Sequence, residues 1–240
     1  IVIICLIQIG GLGLMTIISL LAVFTKRRIG LGERRLLMIS SGNMRMSGVI
    51  RLIQKVAVIT FVCEGIGALV LACSFVPQMG IVRGCYNAIF HSISAFCNAG
   101  FDLMGRFKEG SSLALYEQNV AVMLPLAILI VVGGIGFQVW SDLHENGFHV
   151  KKYSLHTKVA LLSTGALLFG GWLLYFIFEN KYHLNGMTLP EKLLSSGFMS
   201  ATTRTAGFAG FDLSQLSQSG SMLTIILMLI GGCPGSTAGG

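Results

Sequence analysis

The stretch Phe96-Cys97-Asn98-Ala99-Gly100-Phe101-Asp102 decides the fold, because a variant of it returns as Thr203-Arg204-Thr205-Ala206-Gly207-Phe208. Working outward, each copy follows a segment too short to span a bilayer: Gly84 to Cys97 in the first case, Thr188 to about Thr203 in the second. Each short segment follows a long apolar run, Val56 to Val76 or Val159 to Phe178, and precedes another, Asn119 to Trp140 or Ser221 onward. An apolar run of roughly 20 residues is what a membrane-crossing helix needs. The pattern is therefore outer helix, re-entrant half-helix and loop, inner helix, occurring twice in one orientation. Irregular backbone at membrane depth is tolerated only where it is enclosed by protein or lines a water-filled path. A repeated re-entrant loop is the arrangement with which a pore presents backbone carbonyls to an ion.

Composition agrees. Hydrophobic residues make up 53% of the 240-residue chain and charged residues 11%, against about 25% charged in soluble domains. Mean hydropathy is +0.77. The expected fold class is an all-α membrane protein of repeated pore units. The expected division is an inner helix of a first repeat over 1–24, a basic loop over 25–50, a second pore repeat over 51–143, a linker over 144–155, and a third repeat over 156–240, truncated within its inner helix. The chain opens at Ile1 and closes in a glycine-rich run, so it reads as an internal piece of a longer one.

The net charge of +7 does not indicate nucleic acid. Lys26, Arg27, Arg28, Arg34, Arg35, Arg45, Arg51 and Lys55 crowd one inter-helix region, and Lys151, Lys152 and Lys158 another. The remaining regions carry balanced charge. The positive-inside rule places the basic loops in the cytoplasm and both Ala-Gly-Phe loops outside. The expected location is the plasma membrane, with several crossings and lipid as the surrounding partner.

Glycine tolerates the left-handed backbone that turns carbonyls toward an axis. Small neighbours Ala99 and Ala206 allow close approach, and Asn98 and Thr205 add side-chain oxygens. Half-helices ending at the loops direct the negative ends of their dipoles there, which favours a cation. Neither loop carries the carboxylates that a divalent ion prefers. The candidate selectivity-filter residues are thus Cys97, Asn98, Ala99, Gly100 and Phe101 with Thr205, Ala206, Gly207 and Phe208. Asp102 and Asp212 are placed at the outer mouth. A second register, Gly210-Phe211-Asp212-Leu213 on Gly100-Phe101-Asp102-Leu103, competes locally. Gly207 is preferred because its distance from Ser200-Ala201 is nearer to that of Gly100 from Ser94-Ala95.

The terminal run Gly231-Gly232-Cys233-Pro234-Gly235-Ser236-Thr237-Ala238-Gly239-Gly240 breaks a span that begins at Ser221. Glycine and proline at this density cannot hold a helix. It reads as a flexible gate loop below the filter, or as a close helix crossing. Gly10-Gly11 and Gly133-Gly134 mark the preceding inner helices in the same way.

Glu64 lies mid-span, either as a structural anchor or on an ion path. Arg204 is expected to turn from the pore toward an acid or half-helix carbonyls, and His91 to be a packed polar residue. The six cysteines show no metal-ligand spacing. No paired nucleophile and base suggests an enzyme, and Gly235-Ser236-Thr237 lacks the lysine of a phosphate loop.

These residues together resemble the TrkH/TrkG/KtrB potassium-uptake family: the two Ala-Gly-Phe loops resemble its second and third pore loops, Gln8-Ile9-Gly10-Gly11-Leu12-Gly13 its first inner helix, and 231–240 its intramembrane gate loop. The basic loop and the Gln-Ile-Gly-Gly-Leu-Gly run look nearer the KtrB branch. The resemblance implies four such repeats around one pore, a homodimer, potassium as the transported ion, sodium as a candidate coupling ion, and a cytoplasmic nucleotide-binding regulatory subunit of TrkA/KtrA type. One central glycine per loop implies weaker potassium/sodium discrimination than a TVGYG filter gives. The competing expectation is a secondary carrier with a midplane site using Glu64. Carriers often have inverted repeats, whereas these units share one orientation.

Overall fold

The computed structural model describes residues 1–13, 49–106, 112–147 and 149–238, with backbone alone for 49–54 and 106. Most of the basic loop expected over 25–50, the second half of the first inner helix, and Gly239 and Gly240 lie outside the described residues.

Eight α-helices run in the order α1 (Val2–Leu12), α2 (Val49–Met79), α3 (Ile81–Phe96), α4 (Val120–Gly134), α5 (Phe137–Asn146), α6 (Leu155–Glu179), α7 (Leu189–Thr202) and α8 (Gln218–Ile230) among the described residues, with no strand there. Two stretches, Lys55–Met79 and Leu155–Glu179, are long and apolar enough to cross a membrane. Val120–Gly134 and Phe137–Asn146 form a third candidate, bent by 91°.

The reversal from α2 to α3 is a single residue. Gly80 has φ 81°, a conformation glycine adopts without a Cβ penalty. Its N–H donates to the Val76 carbonyl at 2.9 Å. Gly84 then packs on the Val76 backbone, where a Cβ would lie 2.6 Å from Val76 Cα. The sequence places the start of α7 well: Thr188 N donates to Glu191 Oε2 at 2.8 Å, the reciprocal bond of a capping box, with Pro190 in the first turn.

Helices associate in lipid chiefly through close packing and interhelical hydrogen bonds. The same device recurs in both hairpins. Ser92 Oγ donates to the Glu64 carbonyl at 2.6 Å, and Ser200 Oγ to the Leu168 carbonyl at 2.8 Å. One turn on, Gly67 and Gly171 provide the space in which Ser92 and Ser200 sit. Glu64 and Leu168 are both near the middle of their helices, so α3 and α7 descend about half-way along α2 and α6 before they end. A core of Phe75, Phe90, Phe96, Met123, Leu126 and Phe198 fills the space between α2, α3, α4 and α7.

The inner helix over Asn119 to Trp140 is interrupted at its glycine pair, and one expectation is corrected. Asn119 caps α4 through its Oδ1, which accepts from Ala121 N at 3.0 Å. The helix stops at Gly134 and restarts at Phe137, because Gly136 takes φ 105° and the chain turns. Among the described residues Arg204 faces neither an acid nor a half-helix carbonyl. Its Nη2 lies 3.5 Å from the carbonyl of Gly231, just past α8, because that carbonyl is left free where the helix ends.

Candidate functional site: two glycine loops and a docked segment

Loop 97–101 follows α3, and loop 204–208 follows α7 with Thr203 as its cap. Their backbones match at alternate positions. Asn98 and Gly100 have φ 49° and 71°; Thr205 and Gly207 have φ 88° and 83°. Positive φ at a residue such as Asn98 or Thr205 is uncommon and marks a constrained turn. Successive reversals of this kind swing peptide groups to alternate sides, so neither loop continues as a helix.

The outer end of each loop is tied back to its own helix. Ser94 Oγ donates to the Phe101 carbonyl at 2.7 Å, and Thr202 Oγ1 to the Phe208 carbonyl at 2.8 Å. The repeated Ser-Ala dipeptide was a misleading guide here, since Ser200 bonds to α6 and Thr202 does the work of Ser94. The two loops meet backbone to backbone. A Cβ on Gly100 would collide with the Ala206 carbonyl oxygen and lie 3.1 Å from both Cα and the carbonyl carbon of Gly207. Ala206 is buried and Ala99 half-buried. Phe208 is 2% exposed and stacks on His91, with ring centroids 6.4 Å apart, whereas Phe101 is 57% exposed. His91 is itself buried, with Nδ1 2.8 Å from the Asn87 carbonyl.

Both competing registers apply, each over its own part. Gly207 matches Gly100 in backbone shape. Beyond it, Asp212 matches Asp102. Asp102 Oδ1 accepts from Met104 N at 2.9 Å, and Asp212 Oδ1 from Ser214 N at 3.0 Å, each opening a 3-10 turn. The second loop carries extra residues between these points, and Ala209 uses its carbonyl to accept from Leu113 N at 3.1 Å.

Segment 231–238 is irregular and lies against loop 97–101 and the α4–α5 break. Gly231 and Gly235 have φ 69° and 66°. Cys233 N donates to the Gly134 carbonyl at 3.2 Å, and Phe137 N to the Gly235 carbonyl at 2.8 Å. Gly136 approaches Pro234 so closely that a Cβ would be 3.0 Å from its carbonyl oxygen. Ser236 Oγ donates to the Cys233 carbonyl at 2.6 Å and accepts from Ala238 N at 3.2 Å, holding the turn. Thr237 is the point of contact with the loop. Its Oγ1 donates to the Phe96 carbonyl at 2.7 Å and accepts from Asn98 Nδ2 at 3.1 Å. Gly232 packs beside Thr205, where a Cβ would be 3.5 Å from Thr205 Oγ1. Asn98 Oδ1 and Thr205 Oγ1, one from each loop, are buried without a hydrogen-bond partner among the described residues.

Sequence reasoning missed a polar cluster on the side of the loops away from segment 231–238. His183 Nε2 is 2.6 Å from Glu117 Oε1, and Ser195 Oγ donates to the same oxygen at 2.7 Å. The imidazole stacks on Phe211 at 3.9 Å. Burial of the ring works against a charge on His183. The hydrogen bond and charge of Glu117, with Gln215 and Glu179, outweigh it and hold the pKa above the usual histidine value. Nothing in the sequence pairs these residues, which come from connections 66 positions apart.

Helices, re-entrant loops and a docked glycine segment of this kind define a membrane protein of the potassium-channel-like class. The chain matches the family described as "Cation transport protein" (TrkH) over residues 2–240 and belongs to it. It is 43% identical to the potassium/sodium uptake protein NtpJ of Enterococcus hirae over 98% of this chain and 51% of that protein. It is 38% identical to the Ktr system potassium uptake protein B of Vibrio alginolyticus over 100% of this chain and 52% of that one. The crystal structure of the potassium transporter TrkH from Vibrio parahaemolyticus superposes with a TM-score of 0.66 at 18% identity, covering 98% of this chain and 44% of that one. The chain thus spans about half the length of these relatives.

Proposed function

We propose that this chain forms part of the pore subunit of a potassium-uptake system in the plasma membrane, with 51–143 and 156–240 as two of its pore units. The observation that carries the reading is the meeting of two glycine loops, backbone on backbone, at the ends of half-length helices. On this reading Cys97–Phe101 and Thr205–Phe208 contribute carbonyls to the filter, and the unpaired Asn98 Oδ1 and Thr205 Oγ1 offer oxygens just below. Oxygen dipoles replace the hydration shell of a monovalent cation there. Asp102 and Asp212 stand toward the outer mouth. The basic regions 25–50 and 144–155 face the cytoplasm.

A ring of such units also accounts for the contrast between the two phenylalanines. Phe208 packs on the half-helix of the unit before it, at His91. Phe101 would pack in the same way on a unit preceding α2. Segment 231–238 acts as the gate, occluding the path beneath the loops through its bonds to Phe96 and Asn98. A homodimer and a cytoplasmic nucleotide-binding regulator of TrkA/KtrA type belong to the same reading, with sodium as coupling ion suggested by the name of the enterococcal relative. Glu64, on which a carrier would rely, is closed in by Gln8 and Cys97. The test is potassium flux into liposomes containing the full-length protein. Saturable potassium flux supports the proposal; flux of an organic solute with none of potassium overturns it.

A further inference from the structure

The middle of α2 carries a carboxylate where the middle of α6 carries leucine. Glu64 and Leu168 occupy matching places: each carbonyl receives a serine hydroxyl from the adjoining half-helix, and each is followed one turn on by a close-packing glycine. The hairpin therefore does not need a carboxylate. A buried one is costly unless its oxygens are satisfied, and Glu64 is 5% exposed. Among the described residues no basic side chain pairs with it.

What the carboxylate holds is particular to the first loop. Gln8 Nε2, from α1, lies 3.0 and 3.1 Å from its two oxygens. Cys97 Sγ, from the start of loop 97–101, donates to Oε1 at 3.6 Å. Helix α1 closes on the same cysteine: a Cβ on Gly11 would be 2.5 Å from Cys97 Sγ and 2.8 Å from its Cβ. The residue in the corresponding place of the second loop is Arg204, which bonds forward to Gly231 instead.

We propose that Glu64 is a positioning residue for ion selection: it fixes Cys97 against α1, and so sets the distance at which the backbone of Asn98 to Gly100 stands from the ion. The inference rests on the potassium-pore reading above. Asn98 follows Cys97 directly and is held on its other side by Thr237, so the loop is clamped from behind by Glu64 and from below by segment 231–238. Release of the rear clamp lets the loop shift away from the axis, and the carbonyl spacing then suits potassium less well relative to sodium.

The experiment uses the full-length protein in liposomes, with the potassium-to-sodium flux ratio and the half-saturating potassium concentration as readouts, and thermal unfolding as a control. Glu64→Leu, which gives α2 the residue that α6 has, is expected to lower the flux ratio about tenfold, equivalent to about 1.4 kcal/mol. Glu64→Gln keeps an acceptor for the thiol and is expected to retain most of the ratio. An unchanged ratio in a folded Glu64→Leu variant overturns the proposal. So does an equal loss in Glu64→Gln, which would make charge the cause and not position. If Glu64→Leu does not fold, Cys97→Ala removes the thiol and leaves Glu64 in place. The same fall in ratio there supports the proposal, and an unaltered ratio overturns it. Wild-type protein that carries no potassium would instead sink the pore reading, which separates the two failures.

Discussion

Placing a methyl group on each loop glycine in turn gives the sharpest test of the loop geometry. Gly100 and Gly207 both have left-handed φ, 71° and 83°, so an L-residue at either position costs roughly 1–2 kcal/mol in backbone strain. Their surroundings differ. At Gly207 a new Cβ would meet, among the described residues, Gly100 Cα at 3.8 Å, an ordinary contact. At Gly100 the Cβ would overlap the Ala206 carbonyl oxygen and press on two backbone atoms of Gly207 at 3.1 Å. Backbone cannot rotate aside as a side chain can, so the loops must part. Overpacking of that kind adds about 1–3 kcal/mol. Gly207→Ala is therefore expected to lower potassium uptake roughly 5–30-fold, the range that follows from strain alone. For Gly100→Ala the total of about 2–5 kcal/mol predicts a loss of roughly 30-fold or more, with a lower unfolding temperature. Uptake by cells lacking other potassium transporters, normalised to membrane-inserted protein, measures both. A Gly207→Ala variant as damaged as Gly100→Ala, or two variants with normal uptake, would refute the argument.

Two further outcomes are expected. Thr237→Val removes the hydroxyl that joins Phe96 and Asn98 to segment 231–238, so channel flux without the regulator should rise several-fold, about the worth of a buried hydrogen bond; flux that stays low in a folded variant argues against a gate there. The His183–Glu117 contact should stabilise the protein most at low pH, because a histidine whose folded pKa lies above 6.5 gives its full contribution below 6.5 and loses it as pH rises through the folded value. His183→Gln should flatten that decline in unfolding temperature above pH 6.5, and an unchanged slope would show that another group is responsible.

Much of this fold was legible because lipid enforces simple rules. Long apolar runs gave α2 and α6, and the Thr188-Leu189-Pro190-Glu191 box gave the start of α7. The loops were found because glycine recurs where half-length helices stop. What stayed hidden or was misread has local causes. The glycine pair Gly133-Gly134 marks an interruption of the inner helix, but not how sharply the chain turns: the 91° bend follows from the φ of Gly136, which sequence does not give. Ser94 and Ser200 look equivalent in sequence but differ in direction, since the loops carry different numbers of residues between helix end and glycine. Arg204 finds a helix-terminal carbonyl whose position depends on where α8 ends. The His183–Glu117 pair was invisible because it joins separate connections through tertiary packing alone.

The glycine break in α4–α5 has a thermodynamic consequence. Gly134 and Phe137 have backbone groups that regular helix would have satisfied internally, and segment 231–238 satisfies them in its place through Cys233 and Gly235. Withdrawing that segment strands four peptide dipoles at a depth where hydrocarbon can offer them nothing. They can separate only if solvent arrives as they do, so on the gate reading proposed above, displacement of the segment and wetting of the space beneath the loops become a single cooperative event. The equilibrium should then respond to water activity, with osmolytes too large to enter favouring the docked arrangement.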